Sequence, residues 1–166
     1  MAENEPLDVY LNDHLAASAA AVELVETIAD NNPGTALAAH LEGLKADIEA
    51  DRATLSAVME RCRVTPSKPK QVAGKVMETL SRFRLNERVT GSADVSRLME
   101  LETLSLGIEG KASLWRSLQQ VEAGRPELGS FDLGALLSRA VSQRSALEPF
   151  KQEAAVTALS ASAPAT

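Results

Sequence analysis

A carboxylate in an apolar stripe is the sharpest chemical feature of this chain. Between residues 35 and 63, Leu37, Leu41, Leu44, Ile48, Leu55, Val58 and Cys62 recur in threes and fours, which makes one continuous stripe on a helix. The slot between Ile48 and Leu55 belongs to the same stripe, and it holds Asp51. A buried carboxylate is costly unless a cation, a hydrogen-bond donor or a metal pairs with it. Three other side chains could join it in metal chemistry: Glu102 and Glu109, seven residues apart on one helical face, and His14. Each also has a plainer reading. Asp51 can sit at the edge of the stripe and reach water, Glu102 and Glu109 can form a solvated face, and neither His14 nor His40 has a carboxylate at Glu-x-x-His spacing. Glycine-rich phosphate loops, a Gly-x-Ser-x-Gly elbow and Cys-x-x-Cys are all missing, so nucleotide, acyl-transfer and dithiol chemistry have no sequence support. Cys62, at the end of the stripe, reads as a small hydrophobe.

The elements that must position these residues read as helices. Pro6 suits a first turn, and residues 7–30 carry Leu11, Leu15, Val22, Val25 and Ala29 at helical period, with Ser18 in the remaining seam slot. Asn31-Asn32-Pro33-Gly34 is a turn and Thr35 a cap, so the second helix folds back on the first. Two prolines, Pro66 and Pro69, end that second helix, and a short helix is expected over residues 71–85. Asp94 opens a long helix to about residue 122 whose apolar residues, Leu106 and Val121 among them, surround more than one face; Trp115 reads as core. Inside it Gly107 and Gly110 each cost roughly 1 kcal/mol relative to Ala. Close approach of a neighbouring helix would compensate, unless both lie on an exposed face. Ser130 or Asp132 starts the last helix, which carries Leu133, Leu136, Leu137, Ala140, Val141 and Leu147 and is expected to kink or end at Pro149. Residues 1–153 then form one domain and residues 154–166, rich in Ala, Ser, Thr and Pro, a disordered tail.

Bulk composition agrees with an all-α protein. Apolar residues make up 45% but aromatics only 3%, which implies a core of Leu, Val, Ile and Ala packed helix on helix. A net charge of -6 leaves no basic face for nucleic acid. No stretch reaches the length of an apolar membrane span, and the opening Met-Ala-Glu-Asn-Glu-Pro has no signal-peptide pattern. With a single cysteine, the expected setting is the cytoplasm.

Four major helices with a long connection between the second and third describe a four-helix bundle with a crossover that contains a short extra helix. In that order, and in several local patterns over residues 7–153, the chain resembles the ferritin-like superfamily, especially the small bacterial ferritin-like proteins linked with stress responses. Glu102-Thr-Leu-Ser-Leu106-Gly107 is similar to the Glu-x-x-x-Tyr-Gly run on the third bundle helix of some members, with Leu106 in place of tyrosine. The resemblance makes Glu102 that helix's ligand position. It puts Ser18 where rubrerythrin-like first helices have Glu, and Asp51-Arg52-Ala53-Thr54 where the second helix should read Glu-x-x-His. On the last helix it puts Gln143 or Arg144 at a Glu position and Ala146 or Leu147 at a His position.

About two of the six carboxylate and imidazole ligands of a di-iron centre survive in that alignment. The expectation is therefore a ferritin-like domain that has lost its irons, with Ser18, Asp51, Glu102 and Arg144 as a polar cluster in the old metal position. No cofactor is favoured, and the domain would be a structural or interaction module, a homodimer or the partner of another protein, with no nucleic acid and no membrane. Two rivals stand beside it. One binds iron or another divalent metal through Asp51, Glu102, Glu109 and His14; the other carries a small ligand, with the two glycines making room in the core.

Overall fold

The computed structural model describes residues 5–67 and 93–160. They form four long helices, α1 (Glu5–Asp30), α2 (Ala36–Arg61), α3 (Ala93–Val121) and α4 (Leu133–Leu159), with two 3-10 turns, Glu122–Gly124 and Pro126–Ser130, before the last. No strand occurs among the described residues, and none of their helices is long and apolar enough to cross a membrane. The short helix expected over residues 71–85 lies outside the described residues.

The turn between α1 and α2 is built as its residue types require. Gly34 has φ +74, a left-handed conformation that glycine adopts without strain. The Thr35 hydroxyl accepts from the Ala38 N–H at 3.2 Å and donates to the Asn32 carbonyl at 2.7 Å. Asn32, itself buried, donates to the Ile28 carbonyl at 2.7 Å and ties the turn to the end of α1. At the start of α4 the cap is Asp132, which accepts from the Ala135 N–H at 2.8 Å.

Pro149 neither ends α4 nor sets the limit of the domain. The helix runs through it to Leu159. The carbonyl that loses its donor belongs to Ser145, which is exposed and open to water. Beyond the proline, Phe150, Ala155 and Ala158 pack on the core and Ala154 is buried. Tertiary anchoring thus overrides a composition that reads as a tail, and residues 154–159 belong to the helix.

Hydrophobic burial falls into two clusters. One joins Leu11 of α1, Leu55 and Met59 of α2, Trp115 and Leu118 of α3, and Leu133 of α4. The other joins Ile28 of α1, Leu41 and Ile48 of α2, Leu101 and Ile108 of α3, and Leu147 of α4. Between them three buried seams each carry a polar residue at the same level: Asp51 between Ile48 and Leu55, Lys111 between Ile108 and Trp115, Gln143 between Ala140 and Leu147. The core is two apolar blocks separated by a polar layer.

Some apolar positions face outward instead. Leu106 is 73% exposed, and Val121 and Val141 are also in solvent, because α3 and α4 pack mainly on one another and keep one face free. Close packing does not explain the glycines of α3 either. A Cβ placed on Gly107 or Gly110 would meet nothing within 4 Å.

Candidate functional site

Asp51 is held in the polar layer by the helix that carries it, one turn from Ile48 and one from Leu55. Its side chain is 3% exposed, and both carboxylate oxygens are taken. Lys111 Nζ of α3 bonds Oδ2 at 2.5 Å, while Arg139 of α4 bonds Oδ1. Lys111 also donates to Gln143 Oε1 at 2.5 Å, and Gln143 Nε2 donates to Asp47 Oδ2 at 3.1 Å. Two carboxylates one turn apart on α2 thereby face two cations and an amide from α3 and α4, and the group is formally neutral. Charge-assisted bonds of this kind are the strong ones, and a low local dielectric strengthens them further. Burial lowers the Lys111 pKa from the ordinary lysine value, and the bond to Asp51 pulls it back up.

Of the four residues expected to cluster, only Asp51 and Ser18 come near one another. Ser18 lines a cavity with Asp51, but its hydroxyl donates to the Leu15 carbonyl at 2.6 Å, within its own helix. Glu102 is exposed. Successive residues on a helix diverge by about 100°, so with Leu101 and Leu104 facing the core, Glu102 points away from it. Arg144 fails for the same reason. Leu136, Ala140 and Leu147 set the buried face of α4 and put Gln143 on it, which turns Arg144 outward to bond Glu109 at 2.9 Å. Arg116 lies 3.8 Å from that same Glu109.

Of the residues named for a metal, Asp51 and His14 border one cavity, whereas Glu102 is exposed and Glu109 is paired with Arg144. Among the described residues no three of His, Cys, Asp and Glu stand together as ligands. His14 packs edge-on against Tyr10 with ring centroids 4.7 Å apart. Burial lowers its pKa, which Asp13 partly opposes. His40 lies against Phe150 at 5.0 Å and is also lowered by burial. Cys62 is buried and its thiol is pushed up, first by burial and then by Glu127, so it stays protonated.

A cavity of about 60 Å³ adjoins the ion network between α1, α2 and α3. His14 and Ser18 of α1, Asp51 of α2, and Gly107, Lys111 and Trp115 of α3 border it. Trp115 is 1% exposed, yet its indole Nε1 has no hydrogen-bond partner. On the far side of the network Arg139, Gln143, Asp47 and His40 border a wider, more open groove.

Lys111, Arg139 and Gln143 carry the network together with Asp51, and two of them left a signal in the sequence. Leu104, Ile108, Lys111, Trp115 and Leu118 repeat the rhythm around Asp51, with a lysine in the interrupted slot; Gln143 interrupts Ala140 and Leu147 in the same way. Arg139 leaves no such mark, because its guanidinium reaches inward from a half-exposed position. No protein-family model matches the chain, and neither the curated proteins nor the solved structures give a significant match.

Proposed function

We propose that this chain is a ferritin-like four-helix bundle in which a neutral ion network stands where that superfamily holds its metal, and that it serves as a structural or interaction module rather than an enzyme. The observation that carries the reading is the state of the Asp51 carboxylate, both of whose oxygens are held by resident cations, Lys111 and Arg139. A divalent metal would have to displace both and recruit further ligands from side chains that point elsewhere.

The course of the chain supports the crossover. Leu55, Val58 and Met59 at the end of α2 share a cluster with the end of α3, whereas Leu98 and Leu101 at the start of α3 pack with the end of α1. Helices α2 and α3 therefore run the same way, a relation that a lengthwise connection satisfies. As an interaction module the bundle would have a second copy or another protein cover apolar side chains left in solvent, such as Leu106, Val156 and Leu159.

Metal analysis of protein purified without chelator tests the reading. Iron, manganese and zinc should each be far below one per chain, and Asp51→Asn should leave them unchanged. A stoichiometric metal that disappears in Asp51→Asn overturns it in favour of a carboxylate metal site.

A further inference from the structure

We infer that the cavity between the start of α2, the start of α3 and the end of α4 binds a small zwitterion of the glycine type, its carboxylate on the α2 terminus and Arg97 and its ammonium on Glu153. This goes beyond the structural reading and does not depend on it.

Opposite charges reach one space from two helices and stay apart. Arg97 of α3, half-buried, and Glu153 of α4, exposed, line the same cavity. Among the described residues neither side chain pairs with the other or with a third charge. Phe150, Ala154 and Thr157 share the stripe of α4 that carries Glu153 and continue the wall. The Thr157 hydroxyl is engaged, donating to the Glu153 carbonyl at 3.0 Å.

The α2 terminus is open as well. Its cap, Thr35, accepts from the Ala38 N–H through the hydroxyl and from the Ala39 N–H through the carbonyl. The N–H groups of Ala36 and Leu37, which line the cavity, precede these bonds and have no intrahelical partner. No acidic residue in the first turn neutralises that end of the helix. An independent observation at Asn32 points the same way. Asn32 is 7% exposed and lines the cavity. Its Nδ2 donates to the Ile28 carbonyl, while its Oδ1 accepts no bond and remains open to solvent.

The walls therefore offer donors at Ala36, Leu37 and Arg97 and acceptors at Asn32 and Glu153. An anion alone would face the Glu153 carboxylate, and a cation alone the guanidinium and the positive end of α2. A molecule carrying both charges satisfies both sets. Size keeps it small. The cavity measures about 130 Å³, a little under the roughly 150 Å³ that holds benzene, and glycine has only about five heavy atoms. Water is the competing occupant of so polar a space.

The amide signals of Ala36 and Leu37 in a proton–nitrogen correlation spectrum report directly on the α2 terminus. They are followed during titration with glycine, acetate and methylammonium at constant ionic strength and neutral pH. Glycine should move both downfield and saturate in the low-millimolar range, the scale open to so small a ligand. Acetate, which lacks the ammonium and meets Glu153, should bind at least about tenfold more weakly, and methylammonium should leave the signals in place. Arg97→Gln should raise the glycine midpoint at least about tenfold. Glu153→Gln, at an exposed position, should instead abolish the preference, so that glycine and acetate bind alike; it carries the test if the first variant does not fold. Unmoved amide signals, an equal response to glycine and acetate in the parent, or a preference for glycine that survives in Glu153→Gln overturns the assignment and leaves water as the occupant. The metal content that tests the structural reading is unaffected by any of these outcomes.

Discussion

Glu109 and Lys111 stand two residues apart on α3, and Gln143 and Arg144 are neighbours on α4, yet they serve two opposite kinds of charge network. The inner one binds Asp51, 3% exposed, to Lys111, 14% exposed. The outer one sets Glu109 between Arg144 and Arg116, all more than a third exposed. Helical rotation alone separates them. Water can replace any partner lost from the outer network, whereas a partner lost from the inner one leaves a charge in the core. The inner network also divides the apolar core into two blocks, so any mismatch in the level of the helices would break its bonds. Losing one partner, rather than replacing the pair, is therefore the change that should cost most.

The largest effect expected from breaking the comparison is at Asp51. Asp51→Asn keeps the shape and removes the charge, which should cost about 3 to 5 kcal/mol in denaturant unfolding, nearer the lower figure because Arg139, 39% exposed, relaxes into water. Lys111 then lacks its counter-charge, and its lowered pKa gives a second signature. The unfolded chain holds more protons than the folded one between the depressed folded pKa and the ordinary lysine value of about 10.4. Stability should therefore rise with pH across that window, and the variant's deficit should shrink in alkali. Replacing both residues, as Asp51→Leu with Lys111→Met, should recover most of the loss. A double variant that merely sums two large penalties would show that the two residues are not energetically coupled, and would overturn the network.

Most of the fold was legible because burial and period coincide in the middle of each helix. Every apolar residue of the α2 stripe is buried, and Asp51 lies in line with them. What the sequence hid was decided by direction and tertiary contact. In the sequence Ala140 with Leu147 marks a face that holds Gln143, and Leu137 with Val141 one that holds Arg144. Burial of the first pair and exposure of Val141 decide between them, while Lys111 reads as one of the long amphipathic side chains ordinary at helix surfaces. Pro149 reads as a stop because its local cost is real; the packing of Phe150 and Ala154 that offsets it belongs to other helices.

A smaller effect separates the half-buried imidazoles from the surface charges. Burial depresses the pKa of both His14 and His40. The unfolded chain thus takes up protons first as pH falls below the ordinary histidine value of about 6.5, and stability should drop until the folded values are passed. Urea midpoints at pH 7 and pH 5 should differ in that direction, and His14→Gln with His40→Gln should flatten the difference. Midpoints that decline equally in the double variant would assign the acid sensitivity to carboxylates instead.

The smallest effect is expected at the outer network, where it tests whether exposure is what separates the two. Glu109→Gln leaves Arg144 and Arg116 about half exposed and free to turn into solvent. Exposed pairs are typically worth about 0 to 1 kcal/mol, and salt at about 1 M screens them within roughly 3 Å. The variant should unfold within that margin of the parent, and the gap should close at high salt, whereas the Asp51→Asn deficit should persist because its charges are out of reach of mobile ions. A salt-insensitive loss at Glu109 as large as that at Asp51 would mean that α3 and α4 are joined by their surface charges, and that the buried layer is not what sets their register.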